Sequence, residues 1–345
     1  MLINRIASDA VLNQAYEWLC HRRKDYGANA DVWNFRRNWQ AAKARLRADL
    51  IAGTYRFDVL DRVTLKDGSI ISLWSSRDAL VLKAMTLCLE AVLPVSTTCT
   101  HIRGHGGAKE AIRQVHANLP KNAHVFRTDV KSYYASIEHQ LLLDRLAAHV
   151  SDWTVMSLLS QYMRRTICDG GNFIDIEQGI SLGCPLSPLM AAFFLHELDQ
   201  AFEQSEVFYV RFMDDSLILA PTRWKLRRAV ATLNGVLSEL RLEKHPDKTY
   251  VGRIARGFDF LGYHFVDGAL RAAHKTTRKM YETAVRLYEQ KGHRDNPTPL
   301  GQYLTRWNAW FRGGLSGIEL RGAFLPALEG SNSTETGEKK QAASG

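Results

Sequence analysis

The chain has 345 residues, 46% of them hydrophobic, enough for a large core, and its 45 Lys+Arg against 36 Asp+Glu give a formal net charge of +9. Five scattered cysteines without a CxxC pair exclude a disulfide framework and a cysteine-based zinc site. No apolar run approaches the ~20 residues of a membrane span, and the N-terminus lacks a signal-peptide core, so a soluble cytoplasmic protein with no membrane partner is expected.

Residues 8–52 read as helical, rich in helix formers and closed by Gly53. Eight Lys/Arg against three Asp lie between residues 20 and 50; this is either a solvated helix face or a phosphate-facing surface. Residues 57–74 predict a hairpin turning at Lys66-Asp67-Gly68. A buried helix capped by Ser75 or Ser76 follows. "HIRGHGGAKEAI" is a Gly-rich loop entering a helix, a phosphate cradle or only a turn. "HVFRTDV" at 124–130 predicts a strand, and Glu138 to His149 a helix. Residues 180–202 predict one long helix after a turn. "FYVRFMDDSLILA" at 208–220 predicts a hairpin with Asp214 and Asp215 at its tip. An amphipathic helix from Trp224, a short hairpin at "RGFDFLGYHFVDGALRA" and a basic helical region over about 275–325 complete the pattern. Within that last region Trp307, Trp310 and Phe311 have the spacing of a core-facing stripe. The polar segment after about residue 328 predicts disorder.

The order strand, helices, strand–turn–strand, helix predicts a βαββαβ sheet with helices on one side. Central strands of such a sheet would bring Asp129 beside Asp214 and Asp215. Clustered carboxylates repel and take raised pKa values unless a cation joins them. Hard oxygen donors suit Mg²⁺ or Mn²⁺, and two such ions about 3.5–4 Å apart serve nucleotidyl transfer. Taken alone, the acidic pair is also compatible with a solvated turn.

Five segments occur in one order: "VFRTDVKSYYASI", "SLGCPLSPLMAAFFLHELD", "YVRFMDDSLIL", "HPDKTYVG" and "FDFLGYHF". Together they resemble the catalytic, template-gripping, paired-Asp, lysine-bearing and primer-grip motifs of the bacterial reverse transcriptases, over roughly residues 50–325. The likeness is to compact enzymes of the group II intron and diversity-generating retroelement kind. It implies an α+β right-hand polymerase. A basic helical region would span 1–55, fingers with parts of the palm 56–123 and 138–185, a ferredoxin-like (RRM-like) palm 124–137 and 186–268, and a helical thumb 269–328. A disordered tail would occupy 329–345.

By that resemblance Asp129, Asp214 and Asp215 are metal ligands, with the carbonyl of Val130 on the nucleotide-side ion. Tyr134 would lie beneath the incoming sugar and exclude a ribose 2′-OH, although a core aromatic would look the same. Lys248 would protonate the leaving pyrophosphate or else be a surface lysine. Lys66, Arg77 and Arg103 are candidate cations for the triphosphate, each otherwise an ordinary surface charge. Gly183, Ser187 and Pro188 align with the template-gripping Gly-x-x-x-Ser-Pro. The family's Gln position holds Leu182. Gln178–Gly179 sits four residues out of register, and the Gly183 alignment is preferred. An aliphatic residue at 182 resembles the diversity-generating enzymes and implies relaxed fidelity, unless Leu182 only packs against the palm. Phe212 stands where a Tyr is usual, keeping the ring and losing the hydroxyl.

The expected partners are an RNA template, a DNA or RNA primer and dNTPs, together with a dedicated noncoding RNA or accessory protein. No added nuclease is evident, so a compact stand-alone polymerase is expected. The competing readings are an RNA-binding splicing or assembly factor, which would not need three clustered acids, and a defence or diversification enzyme making a specific or untemplated DNA.

Overall fold

A computed structural model describes residues 1–64, 70–289 and 298–321. Four helices open the chain, α1 (Leu2–Ile6), α2 (Asp9–Arg22), α3 (Asp31–Arg37) and α4 (Trp39–Ala52). The Ser8 side chain accepts from the Val11 N–H at the start of α2, and Gly53 ends α4 with φ 69°. Strands β1 (Leu60–Thr64) and β2 (Ile70–Leu73) pair antiparallel. The predicted turn, with Lys66, lies outside the described residues. Helix α5 (Ser76–Leu89) is capped by Ser75, and α6 (Gly107–Asn118) follows the Gly-rich loop.

The central elements are β3 (His124–Thr128), α7 (Tyr133–Ser136), α8 (His139–Ala147), α9 (Trp153–Met163), and a hairpin of β4 (Thr166–Asp169) and β5 (Asn172–Asp175). That hairpin, turning at Gly170–Gly171, was not foreseen. Its β4 joins β1 in parallel, giving a sheet ordered β2-β1-β4-β5. The single helix expected over 180–202 is two, α10 (Ser187–Phe194) and α11 (His196–Glu203). Residues 180–186 stay non-helical because Pro185 and Pro188 lack N–H groups and restrict the residues before them. The break at Leu195 has a cause elsewhere in the chain. Carbonyls near the end of α10 are taken by foreign side chains: Ala191 by the Tyr133 hydroxyl, Ala192 by Arg211 and Phe194 by Arg145.

Strands β6 (Phe208–Phe212) and β7 (Asp215–Ala220), helix α12 (Arg223–Glu239) and strand β8 (Tyr250–Arg253) complete the central unit. Its sheet has the order β6-β7-β3-β8 with every pairing antiparallel. This is the β-α-β-β-α-β connectivity expected, and the fold is α+β. The next segment makes two hairpins rather than one, β9 (Phe258–Phe260), β10 (Tyr263–Val266) and β11 (Ala269–Ala272). Asp267 and Gly268, at φ 49° and 72°, form the second turn. Helices α13 (His274–Glu289) and α14 (Thr298–Arg312) follow. Phe311 is buried and stacked on Tyr263 and Trp307, whereas Trp310 is 40% exposed. The segment from 322, including the expected tail, lies outside the described residues.

The central sheet is covered on both faces, which corrects the expectation of helices on one side. Along β7, Leu217 and Leu219 enter one core, with α6, β9–β11 and Phe311. Ile218 and Ala220 enter the other, with α10–α12 and the N-terminal helices. Val125 and Phe126 of β3 divide in the same way. Two buried faces explain why these strands read as continuous apolar runs.

One charged pair lies in this interior. Arg211 of β6 and Asp199 of α11 are both 0% exposed. Arg211 Nε donates to Asp199 Oδ1 at 2.8 Å, a second guanidinium nitrogen bonds Oδ2, and the Tyr209 hydroxyl donates to Oδ1 at 2.9 Å. Removing one member leaves a buried unpaired charge. Arg211→Ala is expected to lower stability by about 3–5 kcal/mol, whereas Arg211→Met combined with Asp199→Leu should recover most of that loss. Urea unfolding of the three proteins checks this, and a single variant as stable as wild type would refute it.

Candidate active site

Asp129 directly follows β3. The register of β3 on β7, ending at Thr128 opposite Ser216, brings it alongside Asp215 when extended by one residue. Its carbonyl accepts the His245 N–H at 2.7 Å, and Lys131 N–H donates to the Glu243 carbonyl at 2.8 Å. These bonds flank the bridge between Val130 and Lys244 and leave Val130 itself outside the ladder's hydrogen bonds. Asp215 pairs with Phe212 as the first residue of β7, so Met213 and Asp214 alone form the turn. The acidic pair is thus split between turn and strand rather than sharing the tip.

The electrostatics follow from this placement. Burial drives Asp214 up to about 7, reinforced by its hydrogen bond to Asp129 and the charges of Asp129 and Asp215. Burial and the Asp129 charge drive Asp215 up to about 6, with Arg127 and Lys248 opposing. Burial also disfavours the Asp129 anion, yet hydrogen bonds from Asp214 and Lys248 outweigh it and hold Asp129 below the usual carboxylate range. Lys248 Nζ makes an ion pair with Asp129 Oδ2, and that hydrogen bond raises the Lys248 pKa. Asp129 is 6% exposed, and its Oδ1 is buried with no hydrogen-bond partner.

Among the described residues no group of three or more His, Cys, Asp or Glu forms a ready-made metal cage. The donor chemistry nevertheless fits a hard divalent cation. It offers an orphaned carboxylate oxygen and two acids whose ionisation is held back by burial and then by neighbouring negative charge.

The other candidates fall into separate places. Tyr134, half-buried in α7, has its hydroxyl pushed up to about 12 by burial, with the Asp214 charge contributing. Its carbonyl accepts the Ile180 N–H at 2.7 Å. Leu182 is 65% exposed and therefore does not pack into the core. Gly183 has φ 79° with open space where a Cβ would stand. Ser187 is buried, donating to the Ser181 carbonyl at 2.5 Å and sharing a 2.6 Å hydrogen bond with Tyr162. The Pro188 carbonyl lies 3.1 Å from His101 Nε2. Arg77 pairs with Asp58 at 2.7 Å and lies over the Tyr55 ring. Arg103 is exposed beside Lys83.

Three contributors were missed or dismissed in the sequence. Gly179 adopts φ 85°, and a Cβ there would lie 2.7–2.9 Å from backbone atoms of Tyr134 and Ala135. Only glycine lets that segment lie beneath Tyr134. Arg127, two residues before Asp129, donates to the Asp259 carbonyl at 2.7 Å and acts electrostatically on Asp215. His101, in the Gly-rich loop, contacts the Met213–Asp214 turn directly, its Nδ1 lying 3.0 Å from the Met213 nitrogen.

Acids on neighbouring central strands with a lysine at their side are the kind of arrangement that metal-dependent nucleotidyl transfer uses. The family described as reverse transcriptase (RNA-dependent DNA polymerase) matches residues 69–265. The chain belongs to that family, whose members are RNA-directed DNA polymerases and use divalent metal ions. Protein YkfC of Escherichia coli K12 is 25% identical over an alignment of 270 residues, covering 64% of this chain and 70% of that protein. An uncharacterized 91 kDa protein in the cob intron of Schizosaccharomyces pombe is 25% identical over 135 residues, 39% of this chain and 17% of its own length. Chains of a partial Cas6-RT-Cas1–Cas2 complex and of the Cas6-RT-Cas1–Cas2 complex superpose with TM-score 0.43 and 18% identity. Each superposition covers 70% of this chain, but only 42% and 26% of the respective solved chains. Among the described residues no helix is long and apolar enough to cross a membrane.

The raised pKa values make a signed prediction for metal-free protein. A carboxyl whose folded pKa exceeds its unfolded value near 4 contributes stability below that value and loses it as pH rises through the folded one. The stability of wild type relative to Asp214→Asn should therefore fall between about pH 4 and pH 7 and level off above. Melting in EDTA-treated buffers measures the difference. A difference constant across that window would contradict the coupling.

Proposed function

We propose that the chain is an RNA-templated DNA polymerase of right-hand architecture. In this reading the β6-β7-β3-β8 unit is the palm, the β1–β5 region and α5–α6 belong to the fingers, and α13–α14 form the thumb. The observation that carries the reading is the convergence of Asp129 with the Asp214–Asp215 turn on adjacent strands, a costly arrangement that binding alone does not require. Two Mg²⁺ or Mn²⁺ ions held by Asp129, Asp214, Asp215 and the Val130 carbonyl would supply the Lewis acidity that activates a primer 3′-hydroxyl and stabilises pyrophosphate.

The chain's own groups do the rest. Lys248, half-exposed at the rim of the acids, holds a proton that it can give to the departing pyrophosphate. Tyr134 sets the floor under the sugar and excludes a 2′-hydroxyl. Gly183 and the exposed Leu182 border the nascent base pair, where an aliphatic side chain offers no amide to donate or accept. Arg103, exposed on the loop before α6, is better placed to meet a triphosphate than Arg77, whose charge is taken up by Asp58.

Purified protein with an RNA template, annealed DNA primer, dNTPs and Mg²⁺ or Mn²⁺ should extend the primer. The Asp214→Asn, Asp215→Asn variant should lose on the order of a thousandfold in rate. No synthesis with either metal, or a fully active double variant, would sink the reading. Tyr134→Ala should admit ribonucleotides that wild type rejects.

Leu182→Gln should change the substitution spectrum of the cDNA while extension continues. Sequencing products from one template checks this, and an identical spectrum would remove Leu182 from any role in base selection.

A further inference from the structure

The Gly-rich loop before α6 reads in the sequence as a turn or a phosphate cradle. Its buried contacts point to a different task. Met213 is the residue of the catalytic turn with positive φ, 55°, and both of its backbone polar groups are held by side chains. Its N–H is accepted by His101 Nδ1 at 3.0 Å, and its carbonyl accepts from an Arg211 guanidinium nitrogen at 2.7 Å.

Both clamps lead to the same neighbours. Arg211 continues to Asp199 of α11 and to the Ala192 carbonyl of α10. The second ring nitrogen of His101, Nε2, lies 3.1 Å from the Pro188 carbonyl in the first turn of α10. A backbone N–H can only donate and a carbonyl can only accept. His101 must therefore present a lone pair at Nδ1 and a proton at Nε2, the one neutral tautomer that satisfies both contacts. The loop is fixed in turn: Thr100 N–H and Oγ1 bond the Arg211 carbonyl at 2.9 and 3.1 Å, and Arg211 N–H donates to the Thr98 carbonyl at 2.9 Å. The Phe212 ring meets the His101 ring edge-on at 6.1 Å.

We propose that His101 is a positioning residue that ties the catalytic turn to the Gly183–Pro188 segment, so that the placement of Asp214 depends on the placement of that segment. The inference rests on the polymerase reading for its consequence, because only there does the segment border the nascent base pair. His101 itself touches no reacting atom; it acts through the Met213 amide and the Pro188 carbonyl.

Three substitutions separate this role from packing. His101→Phe keeps a ring and removes both contacts, together with the 3.3 Å contact between Nδ1 and the Cys99 thiol. His101→Asn retains an acceptor near the Nδ1 position, and His101→Gln retains a donor near the Nε2 position. Amide hydrogen exchange over residues 208–220 of the free protein should be faster in the Phe variant and restored in the Asn variant. In single-nucleotide addition the Phe variant should lose about 10–100-fold in kcat with the dNTP KM within about twofold, since small misplacements act on the rate rather than on binding. The Asn variant, which keeps the Met213 contact but cuts the one to Pro188, should recover at least a tenth of wild-type kcat yet stay measurably below wild type. Full wild-type kcat in it would show that the Pro188 end carries nothing and overturn the tie.

Unchanged exchange in the Phe variant overturns the proposal whatever the enzyme does. Faster exchange with unchanged kcat, or an equal kcat loss in the Phe and Asn variants, overturns it as well. If the Phe variant does not fold, the contrast is Asn with normal exchange against Gln with faster exchange, and equal exchange in both is the refuting result. A wild-type protein that extends no primer sinks the polymerase reading instead, and the exchange data then decide on the clamp alone.

Discussion

A fully buried guanidinium in a β-strand is the constraint around which the central unit is organised. Arg211 arises in the apolar run of β6, where a charge is expensive to desolvate. Burial alone would strip its proton affinity, yet the Asp199 carboxylate outweighs that and raises its pKa well above the usual arginine value. A hydrophobic pair of similar volume would recover most of the stability. Such a pair would not reach the Met213 and Ala192 carbonyls, which Arg211 bonds from the same planar fork. The ion pair is thus best understood as a fixture. It fastens the catalytic turn to α10 and α11, and with Arg145 and Tyr133 it ends α10 where no glycine or proline does so.

That fixture matters because the acids above it push apart. Asp129, Asp214 and Asp215 lie close together with only partial compensation, from Lys248 at Asp129 and from Arg127 and Lys248 at Asp215. The cluster keeps its protons to higher pH than isolated carboxyls would, Asp214 to about 7 and Asp215 to about 6. A two-residue turn bearing such a load would relax outward if only strand pairing held it. The clamps on both backbone groups of Met213 oppose that relaxation. Repulsion among the acids and rigidity beneath them are therefore parts of one arrangement, which suits the divalent cations of the proposed mechanism.

Much of this was legible in the sequence. The acids stood out because Asp is disfavoured within apolar runs, and the order of elements gave the sheet connectivity. What was not legible has identifiable physical reasons. Arg211 looks like one more basic residue of a basic chain, since nothing local says that a strand arginine faces a helix aspartate. His101 sits in a loop whose glycines suggested a different use. The break between α10 and α11 comes from side chains far away in sequence, which no local propensity records. Helices were expected on one sheet face because the element order names only the helices of the βαββαβ unit, whereas the second face is covered by α6, β9–β11 and Phe311 from outside that unit.

Two glycines and a leucine in one short segment show how the same sequence signal divides between structure and chemistry. Gly179 and Gly183 both have φ near 80°. At Gly179 a Cβ would collide with the backbone carrying Tyr134, so the glycine is needed by the fold itself. At Gly183 the space is open, so the fold demands only the backbone angle, and the clearance is available to something outside the chain. Leu182, beside it, is exposed although it is aliphatic. An exposed leucine next to an uncrowded glycine contributes little to a core. In the proposed polymerase reading its side chain would meet the nascent base pair, offering apolar contact without hydrogen bonds. Discrimination that rests on shape alone is weaker than discrimination by paired polar groups. Ser187 and Pro188, a few residues on, are turned inward to Tyr162 and His101. The segment thus has an outward face that contacts and an inward face that fastens, and His101 is where the inward face reaches the acids.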